Sequence, residues 1–393
     1  MDIARLYRTA DQGRKLLRAE RRTGSSFDLS PRRRLRLYRR GFLSKSGVIY
    51  DFESHDPAAY LTDFQRFVGT KRINGHWNAL IDNKLAFHRV LGEFPEHRPA
   101  VYGLLADGRF HTFDPASERV TVTDGGERTV GSRSSSEVPS DGGIELEHPD
   151  ESATAGPTPD PLEWLDDHLS EGERLVLKWF SGGGGNNVHF LERADGEYRF
   201  DGEPTGEAAL AEKLADLEHY LVCEFVEQAD YAAELFSETA NTLRVLTMYD
   251  ERAGEAFVPI AIHRIGTADS VPVDNFSNGG LSAHIDRETG RLGAGAEYPH
   301  DGVVDWHETH PGTGARIEGT TVPGWDEIRE RLLEIAETLS HVPYVGWDLV
   351  VTDEGEFRII EANSYPGVAS LQVHRPLLAD DRTRRFYREH GVI

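Results

Sequence analysis

One stretch near the C-terminus limits what this chain can fold into more than any other: Val345-Gly346-Trp347-Asp348-Leu349-Val350-Val351-Thr352-Asp353-Glu354-Gly355-Glu356-Phe357-Arg358-Ile359-Ile360-Glu361-Ala362-Asn363. Two β-rich runs flank a polar turn containing glycine, which is the pattern of a β-hairpin. With Asp353 to Glu356 as the loop, Thr352 faces Phe357, and counting outward sets Asp348 opposite Glu361. Directly opposed residues share a face, with Cβ atoms about 5 Å apart. Asn363, two residues further on, points the same way. Two carboxylates and an amide oxygen then converge, and like charges set opposite each other destabilise a hairpin. A cation between them relieves the repulsion. An all-oxygen set with two carboxylates suits Mg²⁺, which takes its remaining ligands from phosphate oxygens. The plain alternative is a solvated hairpin whose acids align by accident.

That alternative has weight because the chain is acidic. It has 393 residues, room for two or three domains, and carries 67 acids against 43 bases, a net charge of −24. Lysine is confined to Lys15, Lys45, Lys71, Lys84, Lys178 and Lys213. An acidic, lysine-poor surface suits solubility in high salt and argues against general nucleic-acid binding. A single cysteine, Cys223, excludes an intrachain disulfide and suits a reducing compartment. No apolar run reaches the length of a membrane span, and the N-terminus lacks a signal peptide's apolar core. The expectation is a cytoplasmic protein without a transmembrane segment. His307 and His310 form a lone HxxH, read as a polar loop and not a zinc site.

Residues 1–40 are set apart from the rest. Twelve arginines and one lysine stand against four acids, a net of +9, which leaves −33 for the remainder. Ile3, Leu6, Tyr7 and Ala10 recur at helical spacing, and Ser30-Pro31 and Gly41 bracket a second short helix. Such a segment either lies on an anionic membrane surface, grips an acidic partner, or docks on the chain's own acidic body. This basic helical region extends over 1–69, with a helix opening at Asp56-Pro57 and closing near Gly69. Residues 70–113 begin the next unit, where a helix from Asp82 or Asn83 to Gly92 holds Lys84 in its first turn. Lysine opposes the helix dipole there, so some other interaction places it. Residues 114–161 are rich in Gly, Ser, Thr, acids and Pro and cannot bury enough surface to fold. They read as a flexible acidic insert. From 162 to 393 strands and helices are mixed without a βαβ ladder, so the class is α+β. Trp325 to Leu339 is an amphipathic helix leading into the hairpin.

Several residues look chemical. Ser181-Gly182-Gly183-Gly184-Gly185-Asn186-Asn187 lies between two strand-like runs, and four glycines let main-chain amides approach and cradle a phosphate. It is not a Walker A loop, since no Gly-Lys-Ser/Thr follows. Lys178 sits in the apolar run Leu-Val-Leu-Lys-Trp-Phe just before it. A buried charge there needs a partner, for which phosphate serves, unless the lysine reaches solvent from an edge strand. Arg244 and Arg264 are embedded in strand-like runs, where arginine is paired or functional. Asn275 with Gly279-Gly280 makes a second loop that an ordinary turn also explains.

Together these pieces resemble the ATP-grasp superfamily of carboxylate–amine ligases, and within it the sugar-transfer-associated ATP-grasp group, related to α-L-glutamate ligases. Asn83-Lys84, Lys178 with Ser181–Asn187, Cys223-Glu224-Phe225-Val226, Asn241-Thr242-Leu243-Arg244, Arg264-Ile265-Gly266, Asn275 with Gly279-Gly280, Trp347-Asp348 and Glu361-Ala362-Asn363 carry the resemblance, over roughly residues 70–375. It implies an ATP-grasp fold of two α+β subdomains gripping ATP, preceded here by the N-terminal helical region. Lys84 and Lys178 would contact ATP phosphates, with Ser181 and Gly182 to Gly185 as a lid over them. Glu224, Phe225 and Val226 would form the adenine hinge, with Asp230 near the ribose. Asp348, Glu361 and Asn363 would hold two Mg²⁺, or Mn²⁺ in their place. Arg244, Arg264 and Asn275 would face the γ-phosphate and the carboxylate substrate. The acidic insert and the basic N-terminus have no counterpart in the shared core.

The implied reaction has two steps, an acyl phosphate formed from ATP and a small-molecule carboxylate, then attack by an amine, with substrates on a glycan precursor or an amino acid. A phosphoryl transferase that stops at the first step, and an ATP-binding regulatory protein without activity, are the competing readings.

Overall fold

The computed structural model describes residues 14–21, 24, 27–113, 160–181, 187–299 and 302–393. The periodic stretch Ile3 to Ala10, residues 114–159 and the glycines Gly182 to Gly185 lie outside these. Two compact units are present. The smaller comprises Val101–Lys178 and His189–Cys223, the larger Met1–Ala100, Trp179–Val188 and Glu224–Ile393.

The smaller unit is built on a seven-stranded sheet. In chain order its strands are β1 (Val101–Ala106), β2 (Arg109–Thr112), β3 (Arg174–Trp179), β4 (Val188–Ala194), β5 (Glu197–Phe200), β6 (Glu203–Thr205) and β7 (Tyr220–Glu224). They lie in the order β2-β1-β7-β3-β4-β5-β6. The helix Pro161–His168 starts where the Asp160 side chain accepts from the Leu162 amide, an N-cap with proline at the first helical position. Its Trp164 and Leu165, with Leu210 and Leu214 of helix Glu207–Asp216, pack on Leu105, Leu177, Leu191 and Val222.

The larger unit holds β8 (Leu243–Asp250), β9 (Glu255–Ile265), β10 (Leu281–Ile285), β11 (Leu292–Glu297), β12 (Trp306–His307), β13 (Tyr344–Asp353) and β14 (Glu356–Asn363). The order is β12-β11-β10-β9-β8-β13-β14, antiparallel throughout. The sheet is covered on both faces. On one, helix Trp325–Thr338 lays Ile328, Leu332, Ile335 and Ala336 against Val245, Ala261, Trp347 and Leu349, an apolar stripe at helical spacing. On the other, Leu246, Met248, Ile260 and Ile262 meet Leu371, Leu377, Phe386 and Tyr387 from the C-terminal segments, among them helix Asp381–Glu389.

The opening hairpin forms, with a register that differs in its middle. Asp348 pairs with Glu361 and Asp353 with Glu356, but Val351, not Thr352, faces Phe357. The turn therefore narrows to Glu354-Gly355, with Gly355 at φ +73°. Two irregularities, at Thr352 and at Ile360, cancel each other. The second has a consequence for the faces. Phe357 and Ile359 are buried in the apolar core, and strict alternation would carry Glu361 into the same core. A bulge at Ile360 shifts the alternation by one, so Ala362 enters the core and Glu361 leaves it.

The segment Asp56 to Gly69 is not one helix. Pro57–Ala59 is a single turn, Tyr60 is extended, and a new helix Asp63–Val68 begins with a capping box between Thr62 and Gln65. The Thr62 hydroxyl accepts from the Gln65 amide and the Gln65 side chain reaches back to the Thr62 amide, which starts a separate helix. Helix Pro31–Arg39 has Ser30 as its N-cap, and helix Lys84–Val90 begins at Asn83, whose side chain accepts from the Ala86 amide. No helix among the described residues is long and apolar enough to cross a membrane.

Gly324, the N-cap of the amphipathic helix, packs against the hairpin's turn. It has φ +63°, and a Cβ there would lie 2.0 Å from the Gly355 amide nitrogen. Gly324→Ala should lose about 2–4 kcal/mol in urea unfolding through this clash and the left-handed backbone. Gly367→Ala, with nothing within 4 Å of an added Cβ, should change stability little. Equal midpoints for the two variants would contradict the packing.

Candidate nucleotide and metal site

β8, β9, β13 and β14 lie side by side, and one end of their shared face is polar. Asp348 on β13 stands opposite Arg244 on β8 and Glu361 on β14. The Arg244 Nε donates to Asp348 Oδ1 at 2.5 Å and a terminal nitrogen to Oδ2 at 2.7 Å, a bidentate fork. Arg264 on β9 places a terminal nitrogen 3.4 Å from Asp348 Oδ2 and another 2.5 Å from Asp274 Oδ1. Arg264 also donates to the Asn275 amide oxygen. The Asn363 amide nitrogen lies 3.4 Å from Asp348 Oδ2. At the edge strand, Lys84 Nζ is 3.3 Å from Glu361 Oε1. Acids and bases thus alternate along the cluster, from Asp274 through Arg264, Asp348 and Arg244, with Glu361 held by Lys84.

Burial makes this arrangement matter. The side chains of Asp348, Asp274 and Arg264 are all less than a tenth exposed. An unpaired charge at such a site costs several kcal/mol. Burial opposes the ionised form of Asp348, but the Arg244 and Arg264 guanidiniums outweigh it and hold its carboxyl below the usual range. The Arg244 guanidinium is penalised by burial too, and Asp348 holds it above its ordinary value. Asp274 goes the other way. Burial raises its carboxyl, Asp348 adds to the rise, and Arg264 and Thr242 only partly offset it. The Thr242 amide and hydroxyl both donate to Asp274 Oδ2, at 2.8 and 2.5 Å.

The repulsion foreseen between Asp348 and Glu361 is relieved here by the chain's own cations, Arg244 and Lys84. Sequence reasoning missed Asp274, the partner that Arg264 needs. Its signal was an acid immediately before Asn275, in a loop following a strand-borne arginine. Lys84 is placed at its unfavourable helix position by Glu361. The amide of Lys84 donates to the Phe180 carbonyl at 3.0 Å, and Asn83 bridges to Ser181, so the residue ahead of the glycines is tied to the cap of the Lys84 helix.

Other expected residues lie elsewhere in the units. Lys178 is half-buried on β3. Glu224 ends β7, and its side chain accepts from the Ala100 amide at 2.8 Å while its own amide donates to the Ala100 carbonyl. Phe225 and Val226 follow it, half-buried. Asp230 is exposed in the first turn of helix Asp230–Leu235. Cys223 is buried. His307 pairs with Glu297, while His310 is buried against the Gly266 carbonyl.

Among the described residues no group of three or more His, Cys, Asp or Glu surrounds a common point. The set on offer is two carboxylates and an amide, which fits an ion that takes one or two carboxylates and completes its shell with phosphate and water. It does not fit a metal held wholly by protein.

The sequence profile of the sugar-transfer-associated ATP-grasp family matches residues 70–383. This chain belongs to that family. The match begins at the Lys84 region and runs through every residue of the cluster. No curated protein matches the sequence. Among solved structures, D-alanine–D-alanine ligase from Bacillus anthracis is 12% identical, over 83% of this chain and 78% of that one, with a TM-score of 0.34. D-alanyl-alanine synthetase A from Vibrio cholerae O1 biovar eltor is 11% identical over 79% and 66%, with a TM-score of 0.36. An ADP complex of N5-carboxyaminoimidazole ribonucleotide synthetase is 13% identical over 74% and 46%, with a TM-score of 0.33. This ATP-grasp chain therefore spans less than half the length of that last structure.

His263 on β9 sits beside the cluster and fixes a pH expectation. The Arg264 carbonyl can only accept, so Nδ1 carries the proton and Nε2 accepts from the Tyr231 hydroxyl. Burial lowers His263 to about 4. It also lowers His284 to about 4 and His374 to about 3. All three are neutral when folded and take up protons on unfolding below about pH 6.5. The unfolded state then binds more protons, so stability rises with pH and is lost as pH falls from about 6.5 towards 4. Urea unfolding at pH 7, 6 and 5 should show a loss approaching about 1 kcal/mol per pH unit for each histidine. A flat profile would contradict their burial as neutral groups.

Proposed function

We propose that this ATP-grasp chain is an ATP- and Mg²⁺-dependent ligase that joins a small-molecule carboxylate to an amine. The observation that carries the reading is the alternation of Asp348 and Glu361 with Arg244, Arg264 and Lys84 at one end of a sheet, buried around Asp348 and half-buried at Glu361 and Lys84. With Asp274 included, three acidic side chains stand against three basic ones. A ligand without net charge enters such a cluster with least penalty, and ATP⁴⁻ with two divalent cations is one.

Asp348, Glu361 and Asn363 would hold Mg²⁺, or Mn²⁺ in its place, and the ion would supply neutralisation to phosphate oxygens. Lys84 and Lys178 would pair with phosphates, the latter beside the glycine loop of Ser181 and Gly182 to Gly185. Glu224, Phe225 and Val226 would flank the base, and Asp230 the ribose. In the first step a substrate carboxylate oxygen attacks the γ-phosphorus of ATP, and ADP leaves with the bridging oxygen. Arg244 and Arg264 would offset the charge on the equatorial oxygens, the latter aimed by Asp274 and Asn275. In the second step the amine nitrogen attacks the acyl carbon of the acyl phosphate. Phosphate departs and the nitrogen gives up a proton. No side-chain nucleophile takes part, so positioning and electrostatics supply the rate.

Arg244 occupies both oxygens of Asp348 in this structure. For Asp348 to hold an ion, Arg244 would have to give up at least one of these oxygens, and its fork would then be open to a phosphate.

The test is incubation with ATP, Mg²⁺, hydroxylamine and a panel of carboxylates at high salt. A hydroxamate with one acid would establish the acyl phosphate and name the acid. ATP consumption without hydroxamate from any acid would overturn the ligase in favour of a phosphoryl transferase. Asp348→Asn and Glu361→Gln should each cut turnover by about a hundredfold or more, and full activity in both would sink the metal assignment.

A further inference from the structure

We propose that the outer face of the two N-terminal helices is a docking surface for a membrane leaflet rich in anionic lipid. The inference is independent of the ligase reading.

The sequence carries the pattern R-x-x-L-R-x-x-R twice, as Arg14, Leu17, Arg18, Arg21 and as Arg32, Leu35, Arg36, Arg39. Both copies are helical, the first over residues 14–21 and the second within Pro31–Arg39. Spacing of i, i+3, i+4 and i+7 sets each copy as one stripe along a helix. All eight side chains are exposed, with Leu17 at 62% and Leu35 at 59%. Each stripe is therefore a solvent-facing leucine ringed by arginines.

Other residues of the two helices are engaged with the protein, which keeps the stripes pointing outward. Leu37 is buried in a cluster with Phe27, Phe42 and Ile49. Arg34 donates to the Phe27 and Leu29 carbonyls. Glu20, from the first helix, accepts from the Ser44 amide and hydroxyl and from the Tyr38 hydroxyl, and pairs with Arg34. Burial opposes the charge of Glu20, but these donors hold its carboxyl below the usual range. One half-buried acid thus pins the two helices together.

Charge selects the partner. Residues 1–40 carry net +9 in a chain of −24, so a negative surface is drawn to this end and repelled by the rest. Arginine alone would suit any polyanion. The leucine in each stripe favours a bilayer, because it gains by entering the boundary between headgroups and acyl chains and has nothing to gain from a sugar-phosphate backbone.

The test is co-sedimentation of the full chain with vesicles of phosphatidylcholine alone and with added phosphatidylserine. Binding is expected on the anionic vesicles only, and weaker as salt rises. Each arginine near an anionic surface is worth about a fivefold factor, so R32E/R36E/R39E should lose about a hundredfold or more. R32Q/R39Q, a milder change, should lose about twentyfold to thirtyfold on the same scale. L17S/L35S should weaken the binding that persists once salt has screened the charges. Melting temperatures equal to the parent's will show the variants folded. Equal sedimentation on both vesicle types would overturn the proposal. So would binding of a single-stranded oligonucleotide with none to anionic vesicles, which would assign the face to nucleic acid.

Discussion

A guanidinium and a carboxylate, both buried and directly opposed on adjacent strands, anchor the larger unit. Arg244 and Asp348 sit where β8 meets β13, one strand in from the β14 edge of a sheet whose two faces carry large apolar clusters. Neither would be tolerated there alone, since removing one partner of a buried pair costs about 3–5 kcal/mol. Their pairing makes a polar end possible on an apolar sheet, and other charges build upon it. Arg264 reaches the second oxygen of Asp348 while Asp274 takes its other side. Asp274 in turn holds the start of β8 through Thr242, so the loop after β9 is fastened to the strand beside it. Glu361 completes the row and draws Lys84 in from a helix. The proposed function and the folding argument meet in the same residues, because on that reading charges gathered for a triphosphate are first neutralised by one another.

The hairpin was legible because side-chain alternation is a property of the backbone itself. Asp348 opposite Glu361 follows from counting, and the structure has it. The middle of the hairpin was not legible. Phe357, Ile359 and Glu361 share one parity, so no regular strand can bury the first two and expose the third to Asp348. The chain resolves the conflict with a bulge at Ile360, and a second at Thr352 restores the count. Bulges of this kind follow from tertiary burial and leave no local trace. Asp274 was overlooked for a different reason. A loop acid in a chain with 67 acids carries no contrast, and only the buried arginine facing it gives it meaning. The break between Asp56 and Gly69 was readable in principle, since Thr62 and Gln65 are spaced for a capping box.

The two ends of the chain divide the electrostatic work. In the C-terminal part, acids are matched to bases inside the protein and burial fixes their partners. At the N-terminus, arginines face solvent in two copies of one pattern, and a single acid, Glu20, serves as the internal clamp. Surface pairs are individually weak, so an uncompensated basic face on an acidic protein carries no evident stabilising role and is free to meet something else. Internal neutrality suits a site that receives a charged ligand with its own counter-ions. External imbalance suits a surface that waits for an opposite charge.

On the proposed reading, Asp348 would exchange an arginine for a divalent cation when nucleotide binds. Calorimetric titration of Mn²⁺ into the protein with a non-hydrolysable ATP analogue addresses it without relying on turnover. Two ions should bind per chain, Asp348→Asn should abolish at least one of them, and analogue binding without metal should survive the substitution. Unchanged ion stoichiometry and affinity in Asp348→Asn would contradict it, and would leave the Arg244–Asp348 pair as a structural feature of the sheet alone.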